Sequence, residues 1–145
     1  MKDLNKEYKI YAADVEATGL LHHLVEQGDK AKLHNLCVMD IADCNMKTMH
    51  TDTEQQRKDI QALLDQPTIF IMHNGICYDK NALKHFGYDV SNVIFVDTLA
   101  LSWYLDLNRD KHGLENYGEE FNVPKPAIVD WESLTQQDYD HRVQE

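Results

Sequence analysis

The chain has 145 residues, 43% hydrophobic and 27% charged, with 25 acidic against 14 basic side chains and a formal net charge of −11. That length and mix describe one soluble globular domain with its own core, and exclude two ordinary domains. The acidity argues against broad, salt-driven contact with nucleic acid, no apolar run approaches the ~20 residues of a membrane span, and Met1–Glu7 is too polar for a signal peptide.

Residues 1–7 read as a loose lead-in, and a first strand as roughly Tyr8 to Asp14, with β-formers such as Ile10 and Tyr11 and a break at Thr18-Gly19. At its end stand Asp14 and Glu16. Strand side chains alternate with a period of two, so both point to the same side. Like charges there repel and cost desolvation, and they persist most easily around a cation; hard oxygen donors select Mg²⁺ or Mn²⁺. The plain alternative is a solvated strand end with two acids by chance.

Leu20 to Lys32, with Gly28-Asp29, reads as a polar loop between hairpin strands. Strands follow near Leu33–Ile41 and Met46–Thr51, turned by Asp43-Cys44-Asn45. Thr53-Glu54-Gln55-Gln56 has the form of a capping box and opens a helix through about Leu64, with Ile60, Leu63 and Leu64 as its apolar face. Pro67 ends it and hands over to the buried strand Ile69–Met72. A helix over Asp79–His85 ends at Gly87, and Val93–Val96 is the last strand. Asp97 caps a helix from Thr98 to Leu105, whose Trp103 and Tyr104 are expected in the core. The next helix runs from about Leu114 to Phe121, stopped by Pro124 and Pro126, with Glu115, Glu119 and Glu120 as a solvated face. Ser133 or Thr135 can cap a final helix that the chain does not complete, so that roughly Thr135 to Glu145 is expected to fray. Three early strands, then helices alternating with two more, predict an α/β mixed sheet with helices on its faces. Cys37, Cys44 and Cys77, odd in number and without C-x-x-C spacing, read as reduced thiols of a cytoplasmic protein.

A second acidic signal follows the fourth strand: His73-Asn74-Gly75-Ile76-Cys77-Tyr78-Asp79. Gly75 allows a tight turn, and Asp79 opens a helix where its charge favours the N-terminus. Taken alone, Asp79 is a good helix opener and Asn74 a turn former. Ligands of open α/β sheets gather at strand ends, however, so Asp14, Glu16 and Asp79 can converge on one site.

With these segments the sequence resembles the DEDD, or DnaQ-like, 3′–5′ exonucleases. Asp14-Val15-Glu16-Ala17-Thr18-Gly19-Leu20 is similar to their first motif, without the Thr often found directly after the Glu. His73-Asn74-Gly75 with Tyr78-Asp79, Asp97–Ser102 and His112–Gly118 look like the proofreading domain of phage family A DNA polymerases. The resemblance implies a ribonuclease H-like fold: a five-stranded mixed sheet flanked by helices on both faces. It also implies a two-metal 3′–5′ exonuclease acting on single-stranded or frayed DNA 3′ ends, with a polymerase domain or subunit as partner. Asp14 would bridge two Mg²⁺ or Mn²⁺ ions, Glu16 would hold one and orient the water or the 3′-hydroxyl, and Asp79 would act through bound waters. Leu20 would wedge against the terminal base. Asn74 would contact the sugar–phosphate or hold its loop, with Tyr78 beside it as a further substrate contact. An RNase D-like exoribonuclease fits the same pattern. A non-catalytic module binding a nucleic-acid end or a protein partner is the reading from outside enzymes.

The third motif departs from the family. Val143 stands where an Asp should follow Tyr139. In one register His141 is the general base, and its Asp would fall one residue beyond Glu145. In the other, His141 replaces the tyrosine and Glu145 the aspartate, as fourth metal ligand. The first is preferred, because a His-type motif needs the extra residue. Residues 1–145 are then expected to be a single exonuclease domain cut short within its third motif.

Overall fold

The computed structural model describes residues 6–123 and 134–144. Five strands form, largely where apolar and β-branched residues cluster: β1 (Lys9–Ala17), β2 (Leu33–Asp40), β3 (Met46–His50), β4 (Thr68–Met72) and β5 (Val93–Asp97). They lie in the order β3-β2-β1-β4-β5. The β1–β2 and β2–β3 pairs are antiparallel; β1–β4 and β4–β5 are parallel. The expected mixed five-stranded sheet is present, and β1 is its centre.

Alternation along β1 sorts its side chains between two layers. Tyr11, Val15 and Ala17 join Leu36, Val38, Met49 and Phe70 in the core. Helices α1 (Leu21–Gln27), α2 (Glu54–Leu64) and α3 (Asp79–His85) close that layer with Leu24, Ile60, Leu64, Ala82 and Leu83. Asp14 and Glu16 alternate to the opposite face, opposite Cys37 and Asn35 of β2. There α6 (Gln136–Val143) packs across β1 and β2. Helices α4 (Thr98–Leu105) and α5 (Leu114–Phe121) follow β5.

Three expectations need correction. Leu21–Gln27 is a helix, followed by a 3₁₀ turn at Gly28–Lys30, and not a hairpin loop. It carries Leu24, wholly buried, so tertiary packing supplies what two polar turns lack. Trp103 and Tyr104 are not core: they are 50% and 82% exposed, and the Trp103 ring stacks on buried His112 with centroids 3.8 Å apart. The final helix is formed rather than frayed. Thr135 and Asp138 exchange the hydrogen bonds of a capping box, and buried Val143 anchors its last turn. Pro124, Pro126 and Ser133 lie outside the described residues. Among the described residues no helix is long and apolar enough to cross a membrane.

Phe70 is fully buried, with edge-on contacts to Tyr11 and Phe95 at 6.3 and 6.1 Å between ring centroids. Phe70→Ala should cost about 3–5 kcal/mol, through lost transfer energy and the cavity left behind. Urea unfolding followed by circular dichroism measures it. A loss below ~1 kcal/mol would show that the layer between β1 and α2 does not carry the stability assigned to it.

Candidate functional site

The site begins where two parallel strands differ in length. Pairing of β1 with β4 ends at Ala12 and Ile71, whereas pairing with β2 continues to Ala17. From Ala13 onward, the β1 edge facing β4 has backbone groups to offer another partner. The first residue of α3 takes that place: the Val15 N–H donates to Asp79 Oδ1 over 3.1 Å. Asp79 is thereby drawn into the interior, only 2% exposed, beside Asp14.

Burial first and the Asp14 charge second, with a hydrogen bond between the two side chains adding to them and the N–H groups of Val15 and Asp79 pulling the other way, leave the Asp79 carboxyl raised to about 8. At neutral pH the metal-free pair therefore keeps a proton on Asp79. Two carboxyls that cannot both ionise side by side are hard oxygen donors whose proton a divalent cation can displace. On this ground the pair fits Mg²⁺ or Mn²⁺. Glu16 stands on the same face of β1, two residues and roughly 7 Å further along. Among the described residues no group of three or more His, Cys, Asp or Glu side chains is drawn together to hold a metal ion. Asp14 and Asp79 are the assembled part, and Glu16 has to reach in.

The opposite wall comes from β2 and α6. Glu16 pairs across the ladder with Asn35, which is fully buried in a strand that also carries His34 and Asp40. Asn35 Nδ2 donates to Asp140 Oδ1 over 2.8 Å, Gln136 Nε2 donates to the same oxygen over 3.1 Å, and His50 Nδ1 lies 3.6 Å from it. Asn35 Oδ1 is buried and has no hydrogen-bond partner among the described residues. The thiol of Cys37, opposite Asp14, is pushed up by burial, with Asp14 and Asp140 adding to the shift against the Thr48 hydroxyl. Asp140 is thus the acid that α6 turns toward this face. His141, the expected base, is on the exposed side of α6, and Glu145 lies outside the described residues.

A bulge between Glu16 and Ala17 leaves His34 as the extra residue of β2. Its ring stacks on Tyr139 of α6 at 3.8 Å, 10° from parallel, and its Nε2 meets Thr18 Oγ1 at 3.2 Å. Burial and the Lys32 charge bring the His34 pKa down to about 4, so the imidazole is neutral. Thr18 therefore ties the end of β1 to β2 and, through His34, to α6.

The remaining sequence-selected residues surround the ends of β1 and β4. Leu20 is 58% exposed, its N–H donating to His23 Nδ1 over 3.3 Å. The Tyr78 hydroxyl donates to the Gly19 carbonyl over 2.7 Å and joins the loop bearing Leu20 to the loop entering α3. Asn74 sits in that second loop with φ of 63°. Asp97 caps α4 as expected, accepting from Leu99 and Ala100 N–H. Sequence reading missed Asn35, His34 and Asp140; an amide set among Leu33, Leu36, Cys37, Val38 and Met39 is the signal that could have found Asn35.

No protein-family model and no curated protein matches the chain. Solved structures do. Brucella melitensis NrnC with bound Mg²⁺ superposes with a TM-score of 0.61 at 22% identity, over 97% of this chain and 68% of that one. The fold is ribonuclease H-like. NrnC bound to pGG gives a TM-score of 0.66 at 20% identity over the same shares. The apo form of a nuclease gives 0.65 at 19% identity, covering 94% of this chain and 65% of the other.

The raised Asp79 pKa has a direct thermodynamic consequence. The folded state holds a proton that the unfolded chain releases near pH ~3.9. Stability of the metal-free protein therefore falls as pH rises from about 4 to about 8, then levels. Asp79→Asn has no proton to lose there. In EDTA, its melting temperature should gain on that of the native chain between pH 5 and pH 8. Parallel curves would contradict the buried pair.

Proposed function

We propose that this chain is a metal-dependent nuclease that hydrolyses phosphodiester bonds at the 3′ ends of short single strands, with RNA of oligonucleotide length as its substrate class. The observation that carries this reading is the buried Asp79 held beside half-buried Asp14 at the end of the central strand, a pair that keeps a proton without a cation and is built of donors that a divalent ion would satisfy. Similarity of fold to NrnC, seen with Mg²⁺ and with pGG, an RNA oligonucleotide, supports the metal and the RNA class. A net charge of −11 fits a substrate gripped at a few phosphates rather than along a duplex.

Asp14, Asp79 and Glu16 would hold one or two divalent ions; when bound, these supply Lewis-acid charge to the attacking water and to the phosphate oxygens. Asp14 is next to Asp79 and on the same strand face as Glu16. Leu20 offers an exposed apolar side chain to the terminal base, and Asn74 and Tyr78 line the loop beside it. Stacking against an apolar side chain reads no base sequence, so cleavage should depend little on it. His141, exposed on α6, would take the proton from the water once substrate is bound.

A DNA substrate is the second reading, because His73 to Asp79, Asp97 to Ser102 and His112 to Gly118 resemble phage proofreading domains. Labelled RNA and DNA pentamers, each incubated with Mg²⁺, Mn²⁺ or EDTA, separate the two. RNA should be shortened faster from its 3′ end, and only with metal; faster loss of DNA would favour proofreading. Asp14→Ala should reduce turnover by at least ~100-fold, since even partners outside the ligand shell are worth about 10–100-fold. Its melting temperature in EDTA should not fall, because one of two crowded acids has gone. Near-native turnover in folded Asp14→Ala would remove the site from consideration.

A further inference from the structure

Asp97 has more hydrogen bonds than a helix cap requires. Its Oδ1 accepts from Leu99 N–H at 3.0 Å and Ala100 N–H at 3.4 Å, which begin α4. The same oxygen accepts from Asn74 N–H at 3.0 Å, and Oδ2 accepts from Ile76 N–H at 3.1 Å. Asp97 is 7% exposed. A serine or threonine caps a helix without burying a charge, and a buried carboxylate is tolerated only where donors surround it. Two of its four donors belong to a loop more than twenty residues earlier in the chain.

That loop is the one that turns from β4 into α3. Asn74 has a left-handed backbone, which a non-glycine residue keeps only where its surroundings hold it. A second tie lies alongside, with His73 Nδ1 3.0 Å from Thr98 Oγ1. At its far end the loop carries Tyr78, bonded to Gly19 beside Leu20, and then Asp79. Ile76, between the ties, is 45% exposed. Fixing the loop at Asn74 and Ile76 fixes the wall that faces Leu20.

We propose that Asp97 is a positioning residue for the substrate strand: its carboxylate clamps the Asn74–Ile76 backbone so that this wall is set before the terminal nucleotide arrives. The proposal rests on the nuclease reading above and deepens it. It differs from a capping role in a way that substitution can expose. Asp97→Ser keeps a cap for α4 but has no second oxygen to reach the loop. Asp97→Asn keeps a similar shape and an amide oxygen, but turns an NH₂ toward one of the loop N–H groups.

In the full chain, Asp97→Ser should leave amide exchange over 98–105 slow and accelerate it over 73–78. KM for the preferred pentamer should rise by roughly tenfold or more, the scale on which small misplacements act, with kcat changing less. The melting-temperature gain on adding Mn²⁺, which reports on Asp14 and Asp79, should remain. Native KM and native exchange over 73–78 would reduce Asp97 to a cap and overturn the proposal. Should Asp97→Ser not fold, Asp97→Asn is read on the same scale, and an unchanged KM there overturns it equally. If the native chain neither cuts nor binds an oligonucleotide, the nuclease reading fails; exchange over 73–78 then judges the clamp alone, and its failure to accelerate rejects it.

Discussion

Two neighbouring carboxyl groups, Asp79 buried and Asp14 half-buried beside it, set the terms for the rest of this molecule. Asp79 is buried against Asp14 because β1 outruns β4, leaving the Val15 N–H for a partner other than the sheet. Desolvation and mutual repulsion then make the empty pair keep a proton. Such an arrangement costs stability in the metal-free protein, and a divalent cation, if held by the pair as proposed, would offset that cost by binding only the folded state. The proposed chemistry and the local instability therefore have one origin.

Around this pair the chain ends its parallel strands with loops tied to one another. Tyr78 reaches Gly19, Asp97 reaches Asn74 and Ile76, and Thr98 reaches His73. On the opposite face, Asn35 and Asp140 hold α6 against β2, while Tyr139 stacks on His34. Each tie joins segments distant in sequence, so the mouth of the site is built from fixed backbone rather than free loop ends. A strongly acidic protein thereby gains an ordered rim around the Asp14–Asp79 pair.

Much of the frame was legible because its signals are local. A period of two placed Asp14 and Glu16 together, and the capping box at Thr53 and the Pro67 break marked α2 and β4 from within a few residues. What escaped depends on tertiary contacts. Helix α1 has only seven residues, and Leu24 commits it to the core in a way that no local pattern shows. Trp103 and Tyr104 were assigned to the core on composition, which overlooks how often large aromatic side chains remain partly exposed. Asn35 and Asp140 are 105 residues apart, so neither announces the other. Counting along the third motif selects His141, but nothing local shows that its neighbour Asp140 meets Asn35 of the sheet.

The most direct test of this account is a crystal of the protein soaked in millimolar Mn²⁺, with the anomalous difference map calculated at the manganese edge. The account predicts a peak within coordination distance of both Asp14 and Asp79, absent from Asp14→Ala crystals treated alike. A native crystal with no peak there, or with manganese bound only at surface acids elsewhere, would contradict it.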